Sequence, residues 1–192
     1  MHDVPAARPR GHAVPHFDAS TAECLVLTYK EGLLSVIAHD LEIRVGRFDL
    51  DIDEVPLAVR ARFDPASLAV VGALHDGAAQ PGAISESDRH KIERTIQDEV
   101  LHVREHASIV FTSSAVTAEG EGFRVAGDLT LHGKTRPLTF VARPEGDRMV
   151  AVVRLHQPDF GIKPYSAMLG ALKIKPDVTI RCSLPRASLP AR

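Results

Sequence analysis

The chain has 192 residues, of which 44% are hydrophobic, 25% charged and 5% aromatic, and its 23 basic and 25 acidic side chains leave a net charge of −2. That length suits one domain with a sizeable core. Near-neutrality excludes a dedicated nucleic-acid binder, which needs a basic face against phosphates, and the apolar content excludes a disordered chain. No run of about 18 apolar residues is present, so no membrane-spanning helix is expected.

Residues 1–18 (MHDVPAARPRGHAVPHFD) contain Pro5, Pro9 and Pro15, which break any helix, and no apolar segment of the secretory type. They are expected to form a flexible leader, followed by one domain over 19–186 and a tail over 187–192. The expected location is the cytoplasm. Cys24 and Cys182 stand near opposite ends of the domain without metal-ligand spacing. A disulfide between the first and last strands is geometrically conceivable, but two buried thiols are the expectation.

Strand patterns dominate. The first covers Glu23–Tyr29. In Leu41–Asp53, Leu41, Ile43 and Val45 hold one phase and Phe48, Leu50 and Ile52 the other. A change of phase at Gly46 reads either as one long strand bent at a bulge or as two strands joined by a turn. Leu57–Phe63 and Ser67–Val71 follow, and Gly72–Gly82 reads as loop. Ser85 and Asp88 form a capping-box-like pair. Ile92, Ile96, Val100 and Val103 recur along one narrow face, so a helix opens at Ser85. Ala107–Val116, Phe123–Leu131, Thr135–Arg143 and Met149–His156 continue as hairpin strands. Phe160–Leu172 is a crossover with a short helix over Ser166–Leu172, and Asp177–Leu184 closes the series. About eight strands at hairpin spacing with one inserted helix favour a meander curled into a barrel.

Three arrangements invite chemistry. Ser35, His39 and Asp40 resemble a triad in composition. Adjacent residues on a helix diverge by about 100°, however, so Asp40 would not orient His39, and no G-x-S-x-G elbow is present. His39–Asp40 reads as a cap at the start of a strand, or His39 as a mouth residue that bonds a ligand head group. The histidines, His102 and His106 among them, lack zinc-site spacing, so no metal is expected. Lys134, Arg136, Lys163, Lys173 and Lys175 lie in two turn regions, where they either meet a phosphate head or form a solvated rim. Phe160, Ile162, Tyr165, Met168 and Leu169 read as a lid or as plain core.

Four segments resemble, in order, the YceI-like family of lipocalin-like polyisoprenoid-binding domains: AHDLEIRVGRFDLDI (Ala38–Ile52), HASIVFTSS (His106–Ser114), VAGDLTLHGKTRPLTF (Val125–Phe140) and DFGIKPYS (Asp159–Ser166). The match as a whole spans about Glu23–Leu184. The resemblance implies a mainly β fold, an eight-stranded antiparallel lipocalin-like barrel closed at one end by a helix. It implies a non-covalently bound long-chain isoprenoid or other fatty amphiphile, no reaction, no cofactor, and pairing into homodimers. Many members of that family are periplasmic.

The apolar phase of the strands fits a lipid tunnel and a filled core equally well. With the resemblance, the expected ligand contacts are His39 at the mouth, then Phe48, Phe111, Leu129, Leu131, Phe140 and Val153 along the lumen. Phe160, Tyr165 and Met168 complete the set on the crossover. The alternatives are a barrel hydrolase or isomerase using mouth histidines, and a filled-core structural or stress protein acting through a partner surface.

Overall fold

The computed structural model describes residues 14–31, 39–75 and 78–189. In chain order its elements are β1 (His16–Asp18), β2 (Glu23–Thr28), β3 (Lys30–Glu31), β4 (Asp40–Val45), β5 (Phe48–Glu54), β6 (Leu57–Phe63), β7 (Leu68–His75), β8 (Ala78–Gln80) and α1 (Glu86–Thr95). They continue as β9 (Ile109–Glu119), β10 (Gly122–Leu131), β11 (Lys134–Glu145), β12 (Arg148–His156), β13 (Ser166–Ala167), β14 (Leu172–Ile174) and β15 (Asp177–Pro185).

The main antiparallel sheet has twelve strands in the order β1-β5-β6-β9-β10-β11-β12-β15-β2-β4-β7-β8, and β13, β14 and β3 form a small second sheet. The expected count of eight is therefore corrected to twelve, and the cause is a bend. Strand β4 pairs with β2 and β7, whereas β5, which starts three residues after β4 ends, pairs with β1 and β6 near the other end of the sheet. The next stretch of chain does the same: β6 pairs with β5 and β9, and β7 with β4 and β8. Two long strands thus break in the middle and serve both ends of a curled sheet. The short additions β1 and β8 complete the twelve.

The bend has its own hydrogen bonds. The Gly46 N–H donates to the Ser67 carbonyl at 2.9 Å, and the Asp64 N–H donates to the Arg47 carbonyl at 3.0 Å. The Arg47 N–H donates to Ser67 Oγ at 2.8 Å. The Arg47 guanidinium meets the Asp64 carboxylate at 2.6 Å. A Cβ on residue 46 would lie 2.9 Å from the Ser67 carbonyl oxygen, so glycine is needed for close approach. The change of phase follows: Leu41, Ile43 and Val45 before the bend, and Phe48, Leu50 and Ile52 after it, are all buried. Without the bend, one of those sets would face solvent.

Helix α1 starts as its sequence implies. The Ser85 side chain accepts from the Asp88 N–H, and its hydroxyl donates to the Asp88 carboxylate at 2.7 Å. After Thr95 the helix widens into a π-helical turn over Ile96–Val100. Ile92 and Ile96 pack on a cluster of Leu41, Ile43, Val70, Ala73 and Ile84, so the helix covers the β4–β7 part of the sheet. A larger cluster includes Phe17, Val45, Leu50, Phe111, Val125, Leu129 and Phe160.

Three boundaries differ from expectation. Residues 16–18, assigned to the leader, form β1; its Phe17 is only 2% exposed, because the residue docks its ring in the core. The expected loop 72–82 contains the end of β7 and all of β8, which pair with each other despite their small residues. The expected short helix over 166–172 is instead β13, a 3₁₀ turn at Met168–Gly170 and the start of β14. Leu169 there takes a left-handed backbone (φ 56°), which stops a helix.

Gly46→Val is expected to destabilise the fold by roughly 1–3 kcal/mol, the usual cost of forcing extra atoms into a packed site. Chemical denaturation of the variant against the parent chain measures this, and an unchanged midpoint would show that the bend tolerates a side chain.

Candidate ligand-binding cavity

Alternation along the strands turns one face of the curled sheet inward. On β12, Ala151, Val153 and Leu155 line a cavity, while Val152, Arg154 and His156 between them are exposed. On β10, Phe123, Val125, Leu129 and Leu131 line it. A bulge lies at Ala126/Gly127, where a Cβ on Gly127 would come within 2.3 Å of the Thr112 carbonyl oxygen. The bulge and the missing side chain let β9 and β10 stay close through the curve.

The cavity measures about 770 Å³. A pocket of about 150 Å³ suffices for one benzene, so this interior is not filled by its own side chains. Its wall is aliphatic and phenyl, including Val26, Ile43, Ile52, Val59, Leu138 and Ile180. The Phe111 and Phe140 rings meet there with centroids 5.6 Å apart. Helix residues Ile92, Ile96 and Val100 form part of the same wall.

Polar groups reach the cavity mainly at its rim. His39, Ser85, Asp88 and Lys91 are exposed, and Thr28, Asp64, Thr95, Gln157 and Tyr165 are half-buried. The Thr28 hydroxyl oxygen is buried without a hydrogen-bond partner, which leaves a donor and acceptor unused on the wall.

Of the residues singled out in the sequence, His39, Phe111, Leu129, Leu131, Phe140, Val153 and Tyr165 line the cavity. Phe48 and Phe160 are buried in the surrounding core and are not lining residues. Phe48 packs on Phe63, with ring centroids 5.8 Å apart, and it is Phe63 that reaches the cavity. The side chain of Met168 lies outside the described set, and Leu169 is fully exposed and covers nothing. Ser35 also lies outside the described residues. Asp40 accepts from the Lys30 N–H at 2.7 Å, a strand-capping contact. None of Lys134, Arg136, Lys163, Lys173 and Lys175 lines the cavity; Lys175 sits over the Tyr29 ring, 5.9 Å from its centroid.

One cluster escaped the sequence reading. His102 and His106, after the helix, converge on His132 in the β10–β11 turn, with ring centroids 5.6 Å and 4.1 Å from it. His102 and His132 both have left-handed backbones, and His132 Nε2 is buried without a partner. Single-sequence spacing linked His102 to His106 but not to a residue on a distant turn. Among the described residues no group of three or more His, Cys, Asp or Glu is placed to hold a metal ion. Burial, followed by the neighbouring His106, pulls His132 below the ordinary imidazole value; His102 acts in the same direction, and a Phe160 backbone hydrogen bond and Glu105 oppose it.

A curled antiparallel sheet around one apolar chamber, with a helix across part of it, defines a lipocalin-like architecture. The chain belongs to the YceI-like domain family, which matches residues 29–185. A UPF0312 protein of Pseudomonas putida (strain W619) is 36% identical over a 90-residue alignment that covers 41% of this chain and 45% of that protein, so the match spans under half of the relative's length. Two solved structures share the fold. Burkholderia cenocepacia BcnA has a TM-score of 0.57 at 15% identity, over 85% of this chain and 94% of its own. A polyisoprenoid-binding domain from Saccharophagus degradans, implicated in plant cell wall breakdown, has a TM-score of 0.53 at 12% identity, over 90% and 97%.

Because the folded chain holds His132 below its unfolded value of 6.5, the unfolded chain takes up the proton first. The stability of the parent chain is therefore expected to fall as pH drops through 6.5. His132→Gln should flatten that dependence in denaturation midpoints measured across this range. An equally steep decline in the variant would assign it to other groups.

Proposed function

We propose that this protein binds a long apolar or amphiphilic molecule, such as an isoprenoid, non-covalently in the cavity, and stores, carries or sequesters it without chemical change. The carrying observation is the continuous apolar wall around about 770 Å³ of space. Each buried CH₂ of a ligand gains about 0.8 kcal/mol, so a hydrocarbon chain binds such a wall without a specific polar partner. Charges confined to the rim suit a ligand whose polar end stays near water. His39, Tyr165 and the unpartnered Thr28 hydroxyl are the groups offered to that end. The solved polyisoprenoid-binding domain that shares the fold supports an isoprenoid as the ligand class. A location in the cytoplasm remains part of the proposal.

Organic extraction of the purified protein followed by mass spectrometry tests the reading. A lipid at near-stoichiometric amount is expected, and a clean apo protein that also fails to take up added polyprenol would overturn it. Val153→Trp places a large ring where the wall now faces open space. It is expected to cut the extracted lipid several-fold while leaving the thermal midpoint nearly unchanged. A large loss of stability, about 1–3 kcal/mol or more, would instead indicate an overpacked solid core.

A further inference from the structure

The chain has two cysteines, 158 positions apart, and the fold sets them face to face. Cys24 on β2 is the direct cross-strand partner of Cys182 on β15. Their sulfurs are 3.1 Å apart, with both thiols free. Both residues line the apolar cavity; Cys24 is buried and Cys182 half-buried. We propose that Cys24 and Cys182 are a redox-active pair in the cavity wall, which an apolar organic hydroperoxide oxidises to an intramolecular disulfide.

The chemistry balances within the pair and its oxidant. The Cys182 sulfur attacks the terminal peroxide oxygen, the O–O bond breaks, and the leaving alkoxide takes a proton to become an alcohol. The resulting sulfenic acid is attacked by the Cys24 sulfur, an S–S bond forms and water leaves. In sum, two thiols and one hydroperoxide give one disulfide, one alcohol and one water. The route of the oxidant follows from the surroundings. Cys24 is only 2% exposed, which keeps charged reagents in bulk solvent away from it. An apolar hydroperoxide can instead partition into the cavity that both residues line. The disulfide would tie an early strand of the sheet to the last one, β2 to β15, and restrict the unfolded chain.

The proposal does not depend on the identity of the resident ligand. The test uses the full chain, reduced, desalted and treated with cumene hydroperoxide. Intact mass should fall by two hydrogens, thiols titrated after denaturation should drop from two to none, and the thermal midpoint should rise and return on adding dithiothreitol. The Cys182→Ser variant should show no such reversible rise. Persistence of both thiols, products carrying added oxygen, disulfide-linked dimers, or the same rise in Cys182→Ser would each overturn the proposal.

Discussion

The bend at Gly46–Arg47, matched across the ribbon by Asp64–Ser67, is the constraint on which the cavity depends. A strand that kept one alternation from residue 40 to residue 54 would bury half its apolar side chains and expose the rest. The bend resets the phase and redirects the chain, so that Ile43 before it and Leu50 after it line the same chamber from opposite ends of the strand order. Backbone carbonyls and the Arg47–Asp64 pair hold the turn. The sheet can therefore curl around a space without a separate strand to bring its ends together.

A sheet curled this way need not be filled. Its inner residues are mostly valine, leucine, isoleucine and alanine, with phenylalanines such as Phe111 and Phe140 meeting in a tilted pair. The chain has no tryptophan, so no indole crosses the chamber. The helix lays Ile92, Ile96 and Val100 along the wall. Of the polar groups it adds there, Ser85, Asp88 and Lys91 are exposed and Thr95 is half-buried. An apolar wall with a wet rim is what hydrophobic burial of a chain-like ligand requires.

Much of this was legible in the sequence, for local reasons. Alternation in 123–131 announced inward residues such as Leu129 and Leu131, and the Ser85–Asp88 pair marked the helix start to the residue. The phase change at Gly46 announced a break there without deciding between one bent strand and two strands. What alternation could not supply was its consequence, that two strands would each count twice in the sheet and, with β1 and β8, raise eight to twelve. Nor does periodicity report volume. Phe48 and Phe111 carry the same side chain at inward positions, yet Phe111 faces the cavity while Phe48 is enclosed by core. The pairing of Cys24 with Cys182 and the meeting of His102, His106 and His132 depend on register between distant strands and turns. Small residues hid β8, whose Ala78 pairs with His75 without an apolar pattern to advertise it.

The central claim is that the interior is open and apolar. Crystals of the delipidated protein held under xenon pressure test it most directly, because xenon enters dry apolar cavities and leaves packed cores empty. The account predicts several xenon atoms inside the sheet, among Phe111, Leu129, Phe140 and Val153. An interior occupied by the protein's own side chains, with no xenon bound there, would contradict it.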